Sequence, residues 1–370
     1  MKKLGLTVRN LSLSLFAFTA AGAVFTFACS DSSTSSPTAV DSGASNPDAT
    51  APSVDGSLED SSSSNATTAC IASAKARCTY NDTCTNGVVN KERYGDEPTC
   101  EARLLLGCEK NLAATGTGAT PSTVASCAAS IPGETCAEFR GNQPAETCIP
   151  TAGTVANGGP CGASAQCQST YCAAAPRTSC GTCAPPPALG ADCTLTQECG
   201  ARSGLVCAPN NICVQEGAAG AVCGKDAPCG PDLTCVTAKL AASGSCVASV
   251  ATANSACDHT RNTGPSCDAA LGLFCHPTTD TCVAYTFAAA EAPCGVVSGG
   301  FAACTNGTCL LTDLTDGGKL TSGTCVANVA DGEPCDTAKG MGCISPAKCI
   351  LTSDASTAGT CTLVDPSSCK

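Results

Sequence analysis

The chain has 370 residues, of which 35 are cysteine, 37 glycine and 22 proline; tryptophan is absent and only 3% of residues are aromatic. The 43% hydrophobic fraction is carried largely by alanine and cysteine. At about 25 cal/mol per Å² of apolar surface removed from water, such small side chains offset little of the roughly 1–2 kcal/mol of backbone entropy lost per ordered residue. Two or three conventional apolar cores are therefore excluded, and the cysteine content points to disulfides instead. The net charge is −12, and no basic cluster exists to meet a phosphate backbone, so nucleic acid is not an expected partner.

Residues 1–28 read as a signal peptide, with Lys2, Lys3 and Arg9 ahead of an uncharged apolar run from Leu11 to Ala28. Without those three bases the chain carries 16 basic against 31 acidic residues. Thr26-Phe27-Ala28-Cys29 resembles a bacterial lipobox, with Thr26 where leucine is usual. The resemblance implies that Cys29 is diacylated and becomes the mature N-terminus, and that Ser30 directs sorting to the outer membrane. The competing expectation is ordinary cleavage after Ala21-Gly22-Ala23. Parity favours the lipobox, because using Cys29 for lipid leaves 34 cysteines, an even number. Residues 29–66 then form a lipidated tether. From Ser30 to Ala66 there is no lysine, arginine, cysteine or aromatic residue, a composition expected to be disordered, with a root-mean-square reach of roughly 30–35 Å.

Residues 67–150 are expected to be a helical domain with Cys70, Cys78, Cys84, Cys100, Cys108, Cys127, Cys136 and Cys148. Thr67 or Thr68 can cap an alanine-rich helix over 70–78, and Asp96 or Glu97 precedes Pro98 and a helix over 100–108. Both carry cysteines eight apart, near one helical face. Two antiparallel helices would thus be joined twice, as Cys70–Cys108 and Cys78–Cys100. A third short helix is expected after Thr120, with Pro121 in its first turn and Cys127 facing inward; Cys84, Cys136 and Cys148 would tie down loops. Gly116-Thr117-Gly118-Ala119 lacks the preceding strand and third glycine of a nucleotide loop and reads as a plain connection.

From residue 157 to 370 the sequence repeats at intervals of 30 to 41 residues, within the range of stacked repeats. The expected modules are 157–188 (Cys161, Cys167, Cys172, Cys180), 189–218 (Cys193, Cys199, Cys207, Cys213) and 219–250 (Cys223, Cys229, Cys235, Cys246). They continue as 251–289 (Cys257, Cys267, Cys275, Cys282), 290–330 (Cys294, Cys304, Cys309, Cys325) and 331–370 (Cys335, Cys343, Cys349, Cys361), leaving over Cys183 and Cys369. Between third and fourth cysteines, stretches such as Leu205-Val206-Cys207 to Cys213-Val214 flank turn residues and read as hairpins, with Asp313 and Asp316 in the turn of the fifth. An isolated hairpin is marginal in water and needs a staple. Four cysteines permit three connectivities. First-to-third with second-to-fourth is the expected one, because it fastens the preceding loop to both strands.

The run Cys161-x5-Cys167-x3-Tyr171-Cys172-x7-Cys180-x2-Cys183 resembles the amino-terminal cysteine-rich domain of Dickkopf proteins, secreted Wnt antagonists, over about 25 residues. Ala184-Pro185-Pro186-Pro187 follows where the family has a basic segment, so receptor antagonism is not implied. The arrangement of lipobox, tether, helical cysteine domain and repeats resembles the cysteine-rich surface lipoproteins of myxobacteria.

The fold class expected is small and disulfide-rich: a short helical disulfide-linked domain followed by tandem cysteine-rich hairpin modules. Cys180-Gly181-Thr182-Cys183 has redox-pair spacing but no strand-to-helix context to stabilise a thiolate. His259 and His276 are too few for a zinc centre, and Glu59 and Asp60 fall in the tether, where no geometry is fixed. No catalytic residue, cofactor or metal is expected. The function expected is an exported, lipid-anchored, non-catalytic protein of the outer membrane or cell surface of a Gram-negative bacterium. The modules would form an extended string for structural or adhesive contact with a protein or glycan, and the membrane would be met through the lipid. The alternatives are a secreted protease inhibitor or toxin-like binder, and a metal carrier or enzyme.

Overall fold

The computed structural model describes residues 59–141, 143–200, 204–311, 322–353 and 356–370. The expected signal peptide, the Cys29 acylation site and residues 30–58 of the tether lie outside these residues, as do Asp313 and Asp316. Five α-helices come first: α1 (Glu59–Thr85), α2 (Val88–Arg93), α3 (Glu97–Ala113), α4 (Pro121–Ser130) and α5 (Cys136–Arg140). Residues 59–66, expected to belong to a disordered tether, are the opening turns of α1. Once a helix is pinned by disulfides, adding a residue to its end costs far less than nucleating one, so α1 runs back into a polar sequence that could not begin a helix alone.

Thr67 and Thr68, expected to cap the first helix, lie inside α1, which begins at Glu59, whereas the caps expected for α3 and α4 are formed. The Asp96 carboxylate accepts from the Thr99 amide at 2.8 Å, and Thr120 and Thr123 form a reciprocal box with Pro121 at the first helical position. The pairs are Cys70–Cys108, Cys78–Cys100, Cys84–Cys136 and Cys127–Cys148. Cys84 lies in the last turn of α1, because that helix continues past Cys78 to Thr85, and Cys136 opens α5, so neither is in a loop as expected. Ala69, Ala74, Leu104 and Val124, with Tyr94 at the end of α2, pack around the buried sulfurs of α1, α3 and α4.

From Pro160 on, each cysteine set forms a miniature sheet. In the second to sixth modules the first cysteine bonds the third and the second bonds the fourth. Third and fourth cysteines face each other in register across every hairpin, as in Cys207↔Cys213 and Cys349↔Cys361, yet bond outward to the preceding loop. A type II-like turn stands three residues before each first cysteine. There Gly158, Gly190, Gly220, Asn254, Glu291 or Gly332 takes a positive φ and donates its amide to the carbonyl of the module's fourth cysteine at 2.7–2.8 Å. The fourth cysteine donates back to the next residue of the turn, as Cys361 does to Glu333 at 2.9 Å.

That reciprocal pair corrects the first module. Its turn residue Gly158 bonds Cys183, which therefore is the fourth cysteine and pairs with Cys167; Cys180 is not part of the set. Cys161 pairs with Cys172, and Cys180 reaches 189 residues along the chain to Cys369. The expectation missed this because Cys180 and Cys183 fit the loose third-to-fourth spacing equally well.

The extended string is also corrected. Each module touches the next, as when Thr237 donates to Arg261 O at 2.9 Å, or when Phe301 packs on Phe274 and Tyr285 with ring centroids 5.1 and 4.9 Å apart. Cys180–Cys369 joins the sixth module to the first, closing a ring. The helices sit against that ring. Arg103 on α3 forms a two-pronged bridge to Asp331, at 2.8 and 2.6 Å, and donates to Ile344 O and Ser345 O. Arg140 at the end of α5 ion-pairs with Asp232 of the third module and Asp268 of the fourth. The Lys91 carbonyl of α2 accepts from Asn306 of the fifth at 2.8 Å. Gln166, 2% exposed, donates to Thr115 O beyond α3 and to Pro366 O of the sixth module, and accepts from Gly162 and Ala163.

Two glycine positions carry the module geometry. At Gly332 (φ +84°) no atom lies within 4 Å of an added Cβ, so the demand is conformational only; at Gly359, opposite Cys335, a Cβ would overlap the Ile350 carbonyl. Gly332→Asn should therefore be nearly neutral, as the fourth module already uses Asn254 there. Gly359→Asn should cost about 1–3 kcal/mol. Hydrogen-exchange protection of residues 334–362 checks both; equal loss in the two variants would contradict this geometry.

Candidate interaction surface

All 34 cysteines from Cys70 onward are joined in 17 disulfides. In most modules three sulfurs lie within 4.8 Å of one another, for example those of Cys161, Cys167 and Cys183. That spacing would suit a thiolate metal centre in a reduced chain. In the folded protein each sulfur is bonded to another and has no thiolate to offer. The Cys180-Gly181-Thr182-Cys183 motif is likewise not a dithiol: Gly181–Cys183 is a strand, and its two cysteines bond different partners.

Both histidines serve the fourth module. His259 Nδ1 lies 2.6 Å from Asp280 Oδ1, and His276 Nδ1 accepts from the Thr278 amide at 3.3 Å. Beside them, one carboxylate organises a whole loop. Asp258 accepts from the amides of Thr260, Asn262, Thr263 and Gly264 and from the hydroxyls of Thr260 and Thr263, at 2.5 to 3.2 Å. Donation from the Thr260 hydroxyl, followed by the Thr263 and remaining Thr260 bonds, outweighs partial desolvation and holds the carboxyl far below its ordinary range.

A cleft of about 660 Å³ lies between the α4–α5 region and the second module, lined by Glu134, Glu138, Gln143 and Gln215 among others. Its carboxylates are already committed to the fold: Glu134 accepts from the Ala145 amide at 2.7 Å, and Glu138 closes a capping box with Thr135. The Thr135 amide, then its hydroxyl, keeps Glu138 below the usual carboxylate range, so it stands ionised at neutral pH and is ill suited to donate a proton.

The surface feature that differs from its surroundings is apolar. Among the described residues, the four most exposed large apolar side chains, Leu189 (69%), Leu195 (78%), Val222 (72%) and Leu240 (99%), all lie in the second and third modules. Leu240 stands at the tip of the third hairpin, in a turn closed by the Ala241 amide on Ala238 O at 2.8 Å, with φ +70°. Residues 238–243 are all exposed. A leucine in that backbone region is a genuine outlier where glycine would be relaxed. Two staples, Cys223–Cys235 and Cys229–Cys246, hold the tip in place. Sequence reading passed over it; the signal available was a leucine beside Lys239 in a hairpin loop that otherwise holds alanine and serine.

No family model, curated protein or solved structure matches this chain.

The Asp258 loop yields a pH prediction. A carboxyl whose folded value lies below its unfolded value of about 3.9 contributes stability above that value, lost as pH falls toward the folded one. Protection of amides 260–264 should hold at pH 5 and decline only below about pH 4, whereas Asp258→Ala should open the same amides at pH 7. Hydrogen exchange across the fourth module reads both.

Proposed function

We propose that this chain is an exported, lipid-anchored display protein of a Gram-negative outer membrane or cell surface. In this reading Cys29 carries the lipid, residues 30–58 are the tether, and a helical hub bears six tandem modules whose exposed hairpins meet a protein or glycan. The role is structural or adhesive, not catalytic. The observation that carries the reading is the complete pairing of the 34 cysteines from Cys70 onward, which fits an oxidising compartment and leaves Cys29 as the thirty-fifth, without a disulfide to join. The closed ring supports a compact platform in place of an extended stalk, and the short crossed loops resist proteolysis. The likeness of the first module to Dickkopf domains, and of the whole to myxobacterial surface lipoproteins, agrees with an extracellular scaffold.

Expression of the full chain in a Gram-negative host tests the proposal. Intact mass should show a mature N-terminus at Cys29 with acyl chains, and Cys29→Ser should abolish the acyl mass and release the protein from the membrane fraction. An unacylated N-terminus at Val24 would overturn the anchor.

A second reading, a protease inhibitor, draws on one observation: Lys239 and Leu240 stand on a stapled, fully exposed tip. The tip is a tight turn rather than the extended strand a protease cleft accepts. Trypsin should therefore cut or ignore Lys239 without being blocked, and stoichiometric inhibition would favour the inhibitor.

A further inference from the structure

Sixteen of the 17 disulfides belong to the helices or to a module's crossed pair, and each of them has at least one buried cysteine. Cys180–Cys369 is the exception on every count. Cys180 is the one exposed cysteine among the described residues, and Cys369 is only half-buried. The bond spans 189 residues, against 11 to 52 for the others, and no module needs it for its own pair of staples. Within three residues of its ends lie Arg177 and Lys370, bases in a chain of net charge −12. Nearby cations favour an incoming thiolate and stabilise the one that leaves.

We propose that Cys180–Cys369 is a thiol-exchange site, at which an anionic low-molecular-weight thiol opens the ring while the modules stay intact. The thiolate attacks Sγ of Cys180, forming a mixed disulfide there and releasing Cys369 as a thiolate that takes up a proton. A second thiol then attacks the mixed disulfide, leaving Cys180 as a free thiol. Two thiols are oxidised to one symmetric disulfide, and the protein bond gains two electrons and two protons. Cys180 cannot simply turn to Cys183 instead. Gly181–Cys183 is an extended strand paired on both sides, and residues three apart along a strand lie about 10 Å from one another.

Opening has a structural consequence because, apart from the buried Pro366 packed against Gly162, the last segment is held by few contacts. Pro366 O accepts from Gln166 at 3.3 Å, Ser367 Oγ donates to Ala113 O at 3.5 Å, and Lys110 faces Asp365 at 3.5 Å. All are long contacts, the last between a half-buried lysine and an exposed aspartate, where ion pairs contribute little. Loss of the bond therefore converts a covalently closed ring into an open chain of modules that remains seated on the helices through Arg103 and Arg140.

The test uses the oxidised full chain and reduced glutathione as the probe, with timed alkylation and peptide mapping. Glutathione adducts and alkylated thiols should appear first at Cys180 and Cys369, at least about tenfold faster than at any other cysteine. Exchange of the amides of 365 and 367–370 should rise as they appear. Labelling that begins at another pair, or spreads evenly over the modules, would overturn the proposal. As a second measurement, the Cys180→Ser, Cys369→Ser double variant should keep its sixteen other bonds and lose the fast phase of thiol uptake. Persistence of that phase would overturn the proposal as well.

Discussion

Crossed disulfides take the place of a core in this protein. In each module the third and fourth cysteines face each other across a hairpin, and each bonds backward to a different point of the loop before it. The two bonds thereby fix loop and both strands together, with closed segments of 11 to 21 residues. In the chain-entropy view each such closure contributes about 3 kcal/mol by restricting the unfolded chain, comparable to much of a small domain's net stability. The buried clusters inside the modules are accordingly made chiefly of sulfur, as with Cys193, Cys199 and Cys213. Leu240 is the most exposed large apolar residue among the described residues.

Staples of this kind stabilise modules one at a time and do not place one against another. Placement comes from contacts between consecutive modules and from the helices. Arg103 and Arg140 send guanidinium groups into three modules and find carboxylates and carbonyls there, a geometry suited to the planar fork of arginine. Gln166 fills the same role with an amide, joining the first module, the chain beyond α3 and the sixth module through one buried side chain. The ring is thus closed twice, through polar contacts made by Gln166 and the helical hub and through one covalent bond.

Much of this was readable in the sequence because it depends on spacing. Cysteines eight apart on two helices specify two cross-links, and Pro98 and Pro121 mark where α3 and α4 begin. A repeated set of four cysteines around turn residues specifies stapled hairpins. The fourth cysteine of the first module escaped because spacing alone treats Cys180 and Cys183 alike. The decisive signal was the glycine two residues earlier: Gly181, Gly244, Gly323 and Gly359 all stand opposite a first cysteine, where a side chain would strike the neighbouring strand. Closure of the ring was not legible, since a bond across 189 residues leaves no periodic trace. Nor were the contacts of Arg103, which looks like any arginine on an exposed helical turn until Asp331 is brought to it. The strained turn of Leu240 shows only in backbone angles.

The central claim is that sulfur bridges, and not apolar packing, maintain the fold. Its most direct test is thermal denaturation, followed by near-ultraviolet and far-ultraviolet circular dichroism, of the full chain after complete reduction and alkylation, beside the oxidised protein. The oxidised form should melt cooperatively and the alkylated form should show no cooperative transition. A cooperative melt of the alkylated chain near the oxidised midpoint would contradict the account.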